Sequence, residues 1–253
     1  NPNGSAAAGN SETDSDSFQV SASDGIKSVV VGGETFTLAQ LKDAAYLAAN
    51  TINTGEGTLT LTGYSGDAGD NSATITYSYT LDSAQTHTQP GNDTTLSDSV
   101  VVTVNGVGGS SDTANLTIDI IDDVPKATAD GTQTVTEDGT TSVNGNVLSN
   151  DQYGADGAHA TPATAFSWDA NGAAKAALAV YGTLLLNTDG TYSFALDNAS
   201  AAVQSLNASD VIEQTLTYRI TDADGDSSPA SVTIKIVGAD DAAKVTVSAE
   251  GAD

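Results

Sequence analysis

The sequence predicts an all-β protein built as two tandem β-sandwich domains with short helices in the connections. Three observations carry that expectation. Apolar and hydroxyl residues alternate in short runs, as in Ile75, Tyr77, Tyr79 and Leu81 against Thr74, Thr76, Ser78 and Thr80. A period of two puts one side of an extended chain in a core and the other in water. The run Leu116 to Pro125 is a strand (Leu116, Ile118 and Ile120 alternating with Thr117 and Asp119) that runs into Asp122, Asp123 and Pro125. Pro125 cannot donate a ladder hydrogen bond and holds Val124 extended, so the strand ends in a short stiff link. The same pattern returns at Val232, Ile234 and Ile236, with Asp240 and Asp241 behind it, one all-β domain length later. The composition agrees: 25 glycines, no methionine and one tryptophan suit many short strands and turns.

These signals divide the chain into a linker at 1–16, a first sandwich at 17–124, a second at 125–238, and a linker or the start of a further repeat at 239–253. In the first domain, Ile26–Val31 and Thr35–Leu38 read as a hairpin turned at Gly32-Gly33. Leu38 to Ala49 reads as one helix, since Leu38, Leu41, Ala45 and Ala48 share a face. Strands follow at Leu59–Leu61, Ile75–Leu81 and Val100–Val104, with a long polar loop at 82–98. In the second domain, Thr183–Leu186 and Thr191–Leu196 form a hairpin around Asp189-Gly190, and Asn198 to Leu206 reads as a short helix. Leu216, Tyr218 and Ile220 begin the closing pair of strands.

The charge narrows the function classes. Seven Lys and Arg face 33 Asp and Glu, for a formal net charge of −26. Such a chain repels nucleic acid and anionic membrane surfaces. It either carries a solvated acidic surface or collects cations. There is no cysteine, hence no disulfide or thiolate metal site. No apolar run is long enough to span a bilayer, so no membrane insertion is expected. No H-E-x-x-H, G-x-S-x-G or phosphate-binding glycine loop occurs, and the two histidines, His87 and His159, fall in predicted loops without a motif around them. An enzyme is therefore not expected. Trp168 reads either as a core residue or as a platform for sugar stacking.

Grouped acids supply the candidate sites. Asp222, Asp224 and Asp226 alternate around Gly225. Calcium takes six to eight oxygens, and carboxylates at i, i+2 and i+4 on a tight turn can converge on one ion. The spacing is not an EF-hand: Ser227 stands where that loop needs glycine, and Thr233 where it needs a bidentate Glu. Asp119, Asp122, Asp123 and Asp130 crowd the link between the domains, and Glu137 and Asp138, or Asn150 and Asp151, could be brought to them by the second domain. Like charges so close repel unless a cation sits among them. The other reading of both groups is a solvated polar turn and linker. Asp240, with Asp241, repeats the device at the second boundary.

Two stretches resemble known repeats. The first runs through Asp24-Gly25-Ile26-Lys27-Ser28-Val29, Gly57-Thr58-Leu59-Thr60-Leu61-Thr62-Gly63-Tyr64 and Ile75-Thr76-Tyr77-Ser78-Tyr79-Thr80-Leu81-Asp82 to Asp122-Asp123-Val124-Pro125. It resembles the repeat of large adhesins exported by type I secretion. The second runs through Asn146-Val147-Leu148-Ser149-Asn150-Asp151, Tyr181-Gly182-Thr183-Leu184, Asp189-Gly190-Thr191-Tyr192-Ser193-Phe194 and Leu216-Thr217-Tyr218-Arg219-Ile220-Thr221-Asp222. It resembles the VCBS repeat, a cadherin-like module of the same proteins. The resemblance implies immunoglobulin-like sandwiches in RTX biofilm adhesins, extracellular on the bacterial surface, stiffened by calcium and flanked by neighbouring repeats of one monomeric chain. It also implies an Asp-x-Asp-Gly-Asp turn before the last strand of the first repeat, but here that position reads Asn105-Gly106-Val107-Gly108-Gly109, with only Asp112 nearby. Ala6-Ala7-Ala8-Gly9 resembles the site at which a periplasmic protease releases such adhesins. The expected role is a calcium-stabilised extender of a surface adhesin. The alternative is a lectin-like or protein-binding module using the loops at 82–98 or 151–175.

Overall fold

The computed structural model describes residues 12–85, 87, 96–243 and 245. Pro90, Asp93 and the Ala6–Gly9 stretch lie outside them. The chain forms two compact units: residues 1–124 with the short loop 154–157, and residues 125–153 with 158–253.

Unit 1 holds β1 (Thr13–Ser21), β2 (Ile26–Val31), β3 (Glu34–Thr37), α1 (Leu38–Leu41), α2 (Ala44–Ala49), β4 (Ile52–Asn53), β5 (Gly57–Gly66), β6 (Ser72–Leu81), β7 (Ser97–Gly106) and β8 (Ser111–Asp119). They make two four-stranded sheets, ordered β1-β6-β5-β4 and β3-β2-β7-β8. The alternating residues meet between the sheets: Val29, Leu59, Leu61 and Ile75 are fully buried. The β2–β3 turn needs its two glycines, because Gly32 and Gly33 have φ of 57° and 92°. Positive φ at both central positions is the twist-matched hairpin geometry.

The helix expected over 38–49 is two short helices. Thr37 and Gln40 form a capping box that starts α1, and the Asp43 carboxylate accepts from the backbone N–H groups of Ala45 and Tyr46 to start α2. Asp43 competes for backbone donors that a continuous helix would use internally, so the chain restarts there. Leu41 and Leu47 still reach the core.

A polar lock sits beneath this core. Asp98, 6% exposed, accepts a hydrogen bond from the Tyr79 hydroxyl at 2.8 Å and a short one from Thr54. Burial, then the bond to Asp98, raises the Tyr79 phenol above its usual range. Asp98→Ala leaves a buried hydroxyl without its acceptor and should cost about 1–3 kcal/mol. Chemical denaturation with circular dichroism checks it, and an unchanged midpoint refutes the lock.

Unit 2 holds β9 (Gly131–Thr136), β10 (Ser142–Asn146), a 3₁₀ turn (Val147–Asn150), α3 (Pro162–Ala165), β11 (Phe166–Trp168), α4 (Gly172–Leu178), β12 (Gly182–Leu186), β13 (Thr191–Leu196), β14 (Val211–Thr221) and β15 (Ser227–Val237). Its sheets are ordered β10-β13-β12 and β11-β14-β15-β9, and β15 pairs with β9 in parallel. The β12–β13 turn is pinned by Asp189, whose carboxylate accepts from the Thr191 backbone N–H at 3.0 Å. Phe194, Leu216, Tyr218 and Ile234 are fully buried in the second core.

Two local expectations fail here. The alanine-rich run at 172–178 is a helix inside what reads as loop; alanine is the best helix former, and Leu178 anchors the run in the core. Conversely, residues 198–206 are a series of turns with one helical bond, Gln204 N–H to Ser200 O.

Candidate cation-binding turn

The β14–β15 connection brings three acids together because its backbone is a closed turn. Asp222 N–H donates to Asp226 O at 3.0 Å, and Gly225, at φ 115°, turns the chain so that its N–H reaches Asp222 Oδ1 at 3.0 Å. Asp226 N–H donates to Asp224 Oδ1 at 3.4 Å. One carboxylate oxygen each from Asp222, Asp224 and Asp226 lie within 4.8 Å of one another. Asp222 is 0% exposed, and Oδ2 of both Asp224 and Asp226 is buried without a hydrogen-bond partner among the described residues. Each pair of unit charges at such a separation repels by roughly 3 kcal/mol at a protein-like dielectric. Buried, unpartnered carboxylate oxygens crowded in this way suit a hard cation, whose preferred ligands are carboxylate and carbonyl oxygens. A divalent ion would meet Asp222, Asp224 and Asp226 here and offset their repulsion.

Of the other predicted ligands, Asp119, Asp122 and Asp123 belong to unit 1. Asp119 is exposed at the end of β8. Asp122 and Asp123 follow in the same unit, and Asp122 Oδ1 lies 3.3 Å from His87 Nδ1. His87, expected in a loop, is buried, and its Nε2 lies 3.2 Å from Ile120 O.

Asp130 and Asp151 do meet in unit 2, around a third group. The Tyr218 hydroxyl lies 3.2 Å from Asp130 Oδ2, 3.3 Å from Asp151 Oδ1, and 3.2 Å from the carbonyls of Thr128 and Val147. A hydroxyl donates once, so four acceptors share one proton at distances long for an O–H···O bond. The phenol oxygen stands where those oxygens converge. Burial raises both carboxyls above the usual carboxylate range, and at Asp130 the neighbouring Asp151 adds to it. Asp151 also accepts from Thr128 N–H at 2.7 Å, and the Asn150 amide donates to Ala129 O at 3.4 Å rather than joining an acid.

Glu137 and Asp138 sit beside the end of β15. Glu137, 4% exposed, accepts from Gln204 Nε2 at 3.1 Å and from Ala239 N–H at 2.9 Å. Asp138, at φ 55°, exchanges two bonds with the Asn198 side chain. Asp240 accepts from Ala208 N–H at 3.0 Å. Glu137 and Asp240 fasten the segment that follows β15, and Asp138 ties the end of β9 to Asn198.

In unit 1, Asp24 braces the Gly106–Gly109 turn, where the expected acids are missing. Its carboxylate accepts from Gly108 N–H and, at 3.4 Å, from the Ser110 hydroxyl. Trp168 belongs to the second core: its ring packs against Phe166, Tyr192 and Tyr218, and its indole N–H donates to Asn187 O at 3.0 Å. Nothing local in sequence marks Tyr218, Asp98 or Asp24 as polar hubs. Their partners lie across the fold, and only the pairing register shows them.

Comparison with known proteins places part of this architecture. No curated protein matches the chain. Among solved structures, mouse clustered PcdhgC3 EC1-3 is 15% identical, over 88% of this chain and 61% of that one, with a TM-score of 0.31. The protocadherin gammaB7 EC3-6 cis-dimer structure is 14% identical, over 89% and 51%, with a TM-score of 0.32. This chain thus spans less than two thirds of those structures. Residues 122–238 match the family model of the bacterial cadherin-like domain.

Proposed function

We propose that this chain is a calcium-stabilised extender section of a large bacterial surface adhesin, extracellular and monomeric, with neighbouring repeats of the same chain as its partners. The observation that carries this reading is the Asp222–Asp226 turn, with its crowded and buried carboxylate oxygens. The match of residues 122–238 to a bacterial cadherin-like domain supports an adhesion-type extracellular role. The resemblance of both halves to adhesin repeats supports RTX-type export and a part in biofilm formation. The −26 charge also favours a chain that takes up cations. No helix among the described residues is long and apolar enough to cross a membrane.

Ca2+ would serve here as a structural ion. Its ligands would come from Asp222, Asp224 and Asp226, and other oxygens would complete the six to eight that calcium takes. Isothermal titration of the chelator-treated chain with calcium chloride tests the reading. Binding should be saturable and lose at least one site in Asp224→Asn, a change that keeps size and removes one charge. No heat of binding, or the same stoichiometry in the variant, would refute the turn as a calcium site.

A further inference from the structure

We propose that unit 1 is the chain's extensible element: under tension it unzips from β1 and yields before unit 2. Its use rests on the extender reading, since only a chain that bears load exploits such a difference. The geometry itself is set by strand pairing.

In unit 1 load enters and leaves at one end. β1 begins at Thr13, opposite Thr80, and the Leu81 N–H donates to Glu12 O at 2.8 Å. β8 ends at Asp119, opposite Ser97, and the Ile120 N–H donates to Leu96 O at 2.9 Å. Glu12, Thr13 and Asp14 border one cleft together with Ile118 to Ile121, so the two strand ends are neighbours. Tension between Glu12 and Ile121 therefore acts across the strands. The hydrogen bonds of an antiparallel pair lie perpendicular to its strands, so this load meets them one pair at a time, as in opening a hairpin from its free ends. β1 is an edge strand, bonded to β6 alone. Thr13 to Ser17 are exposed, Phe18 is half-buried, and Val20 is the first buried side chain. Asp14 and Asp16 stand opposite the buried Tyr79 and Tyr77, on the side of the sheet where apolar residues would anchor the strand. Backbone bonds and a Thr13–Thr80 hydroxyl contact at 2.9 Å hold the part of β1 that tension reaches first.

Unit 2 is loaded along its strands. The Asp130 N–H donates to Ser231 O at 3.0 Å where the chain enters, and the Glu137 N–H donates to Val237 O at 2.9 Å beyond the other end of β9. β9 and β15 run parallel, from Gly131 opposite Val232 to Thr136 opposite Val237. The entering chain thus meets the start of this ladder and the departing chain leaves from its end. Tension pulls β9 backwards and β15 forwards along their own axes, and the bonds between them carry load together. Val135, Ile234 and Ile236 are fully buried, so sliding also drags core side chains past one another. Forced unfolding is governed by the unfolding barrier, and a sheared ladder with buried anchors presents a higher one than a zipper that opens pair by pair. Yielding of unit 1 releases about 40 nm of chain at roughly 3.5 Å per residue while unit 2 stays folded.

The test is force spectroscopy of the full chain held by its two ends, in calcium and again in EGTA. Two unfolding events are expected, and the first should come at about half the force of the second or less. The chain has no cysteine, so Ser15→Cys with Ser78→Cys sets a single disulfide between paired residues of β1 and β6. Closing it blocks the zipper and hides the loop between the cysteines. The low-force event should then lose roughly 20 nm of its length and move to higher force, and dithiothreitol should restore both. Melting curves establish folding, and Ser17→Cys with Thr76→Cys, the next outward pair on the same ladder, replaces the first pair if that protein fails to fold or to close. Two events at equal force overturn the proposal. So does a low-force event that keeps its force and full length with the disulfide closed, because unit 2 would then yield first. The order should be the same in EGTA, since the Asp222–Asp226 turn lies outside the β9–β15 ladder, and an order that reverses there overturns the proposal as well. A failure to bind calcium leaves the zipper standing, and a failure of the zipper leaves the calcium turn standing.

Discussion

Unit 2 should melt at a clearly higher temperature in millimolar calcium than in EGTA. Trp168 is the only tryptophan and lies in the second core, so its fluorescence follows that unit alone. An ion bound only by the folded state stabilises it by about 2.7 kcal/mol at a hundred times Kd. For a domain of this size that corresponds to a rise of roughly 10 °C or more. Asp224→Asn sharpens the test because it acts in opposite directions in the two buffers. In EGTA it removes one of three crowded charges, so the variant should melt at or above wild type. In calcium it removes a ligand, so most of the rise should vanish. A variant that keeps the full calcium shift would show that the turn is a polar hairpin tip and nothing more.

The all-β class, the sandwich strands and this turn were readable in sequence because each rests on local periodicity. Val232, Ile234 and Ile236 alternate whatever they pair with, and Asp222, Asp224 and Asp226 converge because four intervening bonds and one glycine bend the chain. The roles of Glu137 and Asp138 were not readable. Their spacing from Asp130 resembles a shared site, yet β9 carries the chain away from Asp130 to the end of β15, where Glu137 N–H donates to Val237 O. The parallel β9–β15 pairing that sets this distance joins residues about a hundred positions apart, and no local pattern announces it. The α1–α2 break was visible in principle: Asp43 is a strong N-cap in the middle of a run whose apolar spacing argued for continuity. The Gly106–Gly109 turn shows the reverse case. The missing acid there is supplied by Asp24, from a distant part of the sequence.

Tyr218→Phe should destabilise unit 2 substantially, and more at neutral pH than in acid. The hydroxyl is fully buried and supplies the proton shared by Asp130, Asp151 and two carbonyls. Without it, two partly buried carboxylates face each other with less compensation, and a cost of about 2–3 kcal/mol at pH 7 is expected for unsatisfied charged acceptors. The pH dependence follows from the two acids. Burial raises both above the ordinary carboxylate range, so the folded state binds protons more readily than the unfolded chain. Their contribution is fully present below the unfolded value, about pH 3.9, and is lost as pH rises through the folded values. In EGTA the wild-type unit should therefore gain stability from this pair as pH falls from neutral. Asp189 works the other way, since its bonds to Thr191 lower its carboxyl, but it is fully exposed and its effect is screened. In Tyr218→Phe, protonation of either acid restores a donor between the two carboxyls, so the deficit should shrink markedly by pH 4.5. Urea titrations followed by Trp168 fluorescence at pH 7.5 and pH 4.5 measure both differences. A deficit that is equal at the two pH values would mean that the hydroxyl contributes packing alone, and that Asp130 and Asp151 do not depend on it.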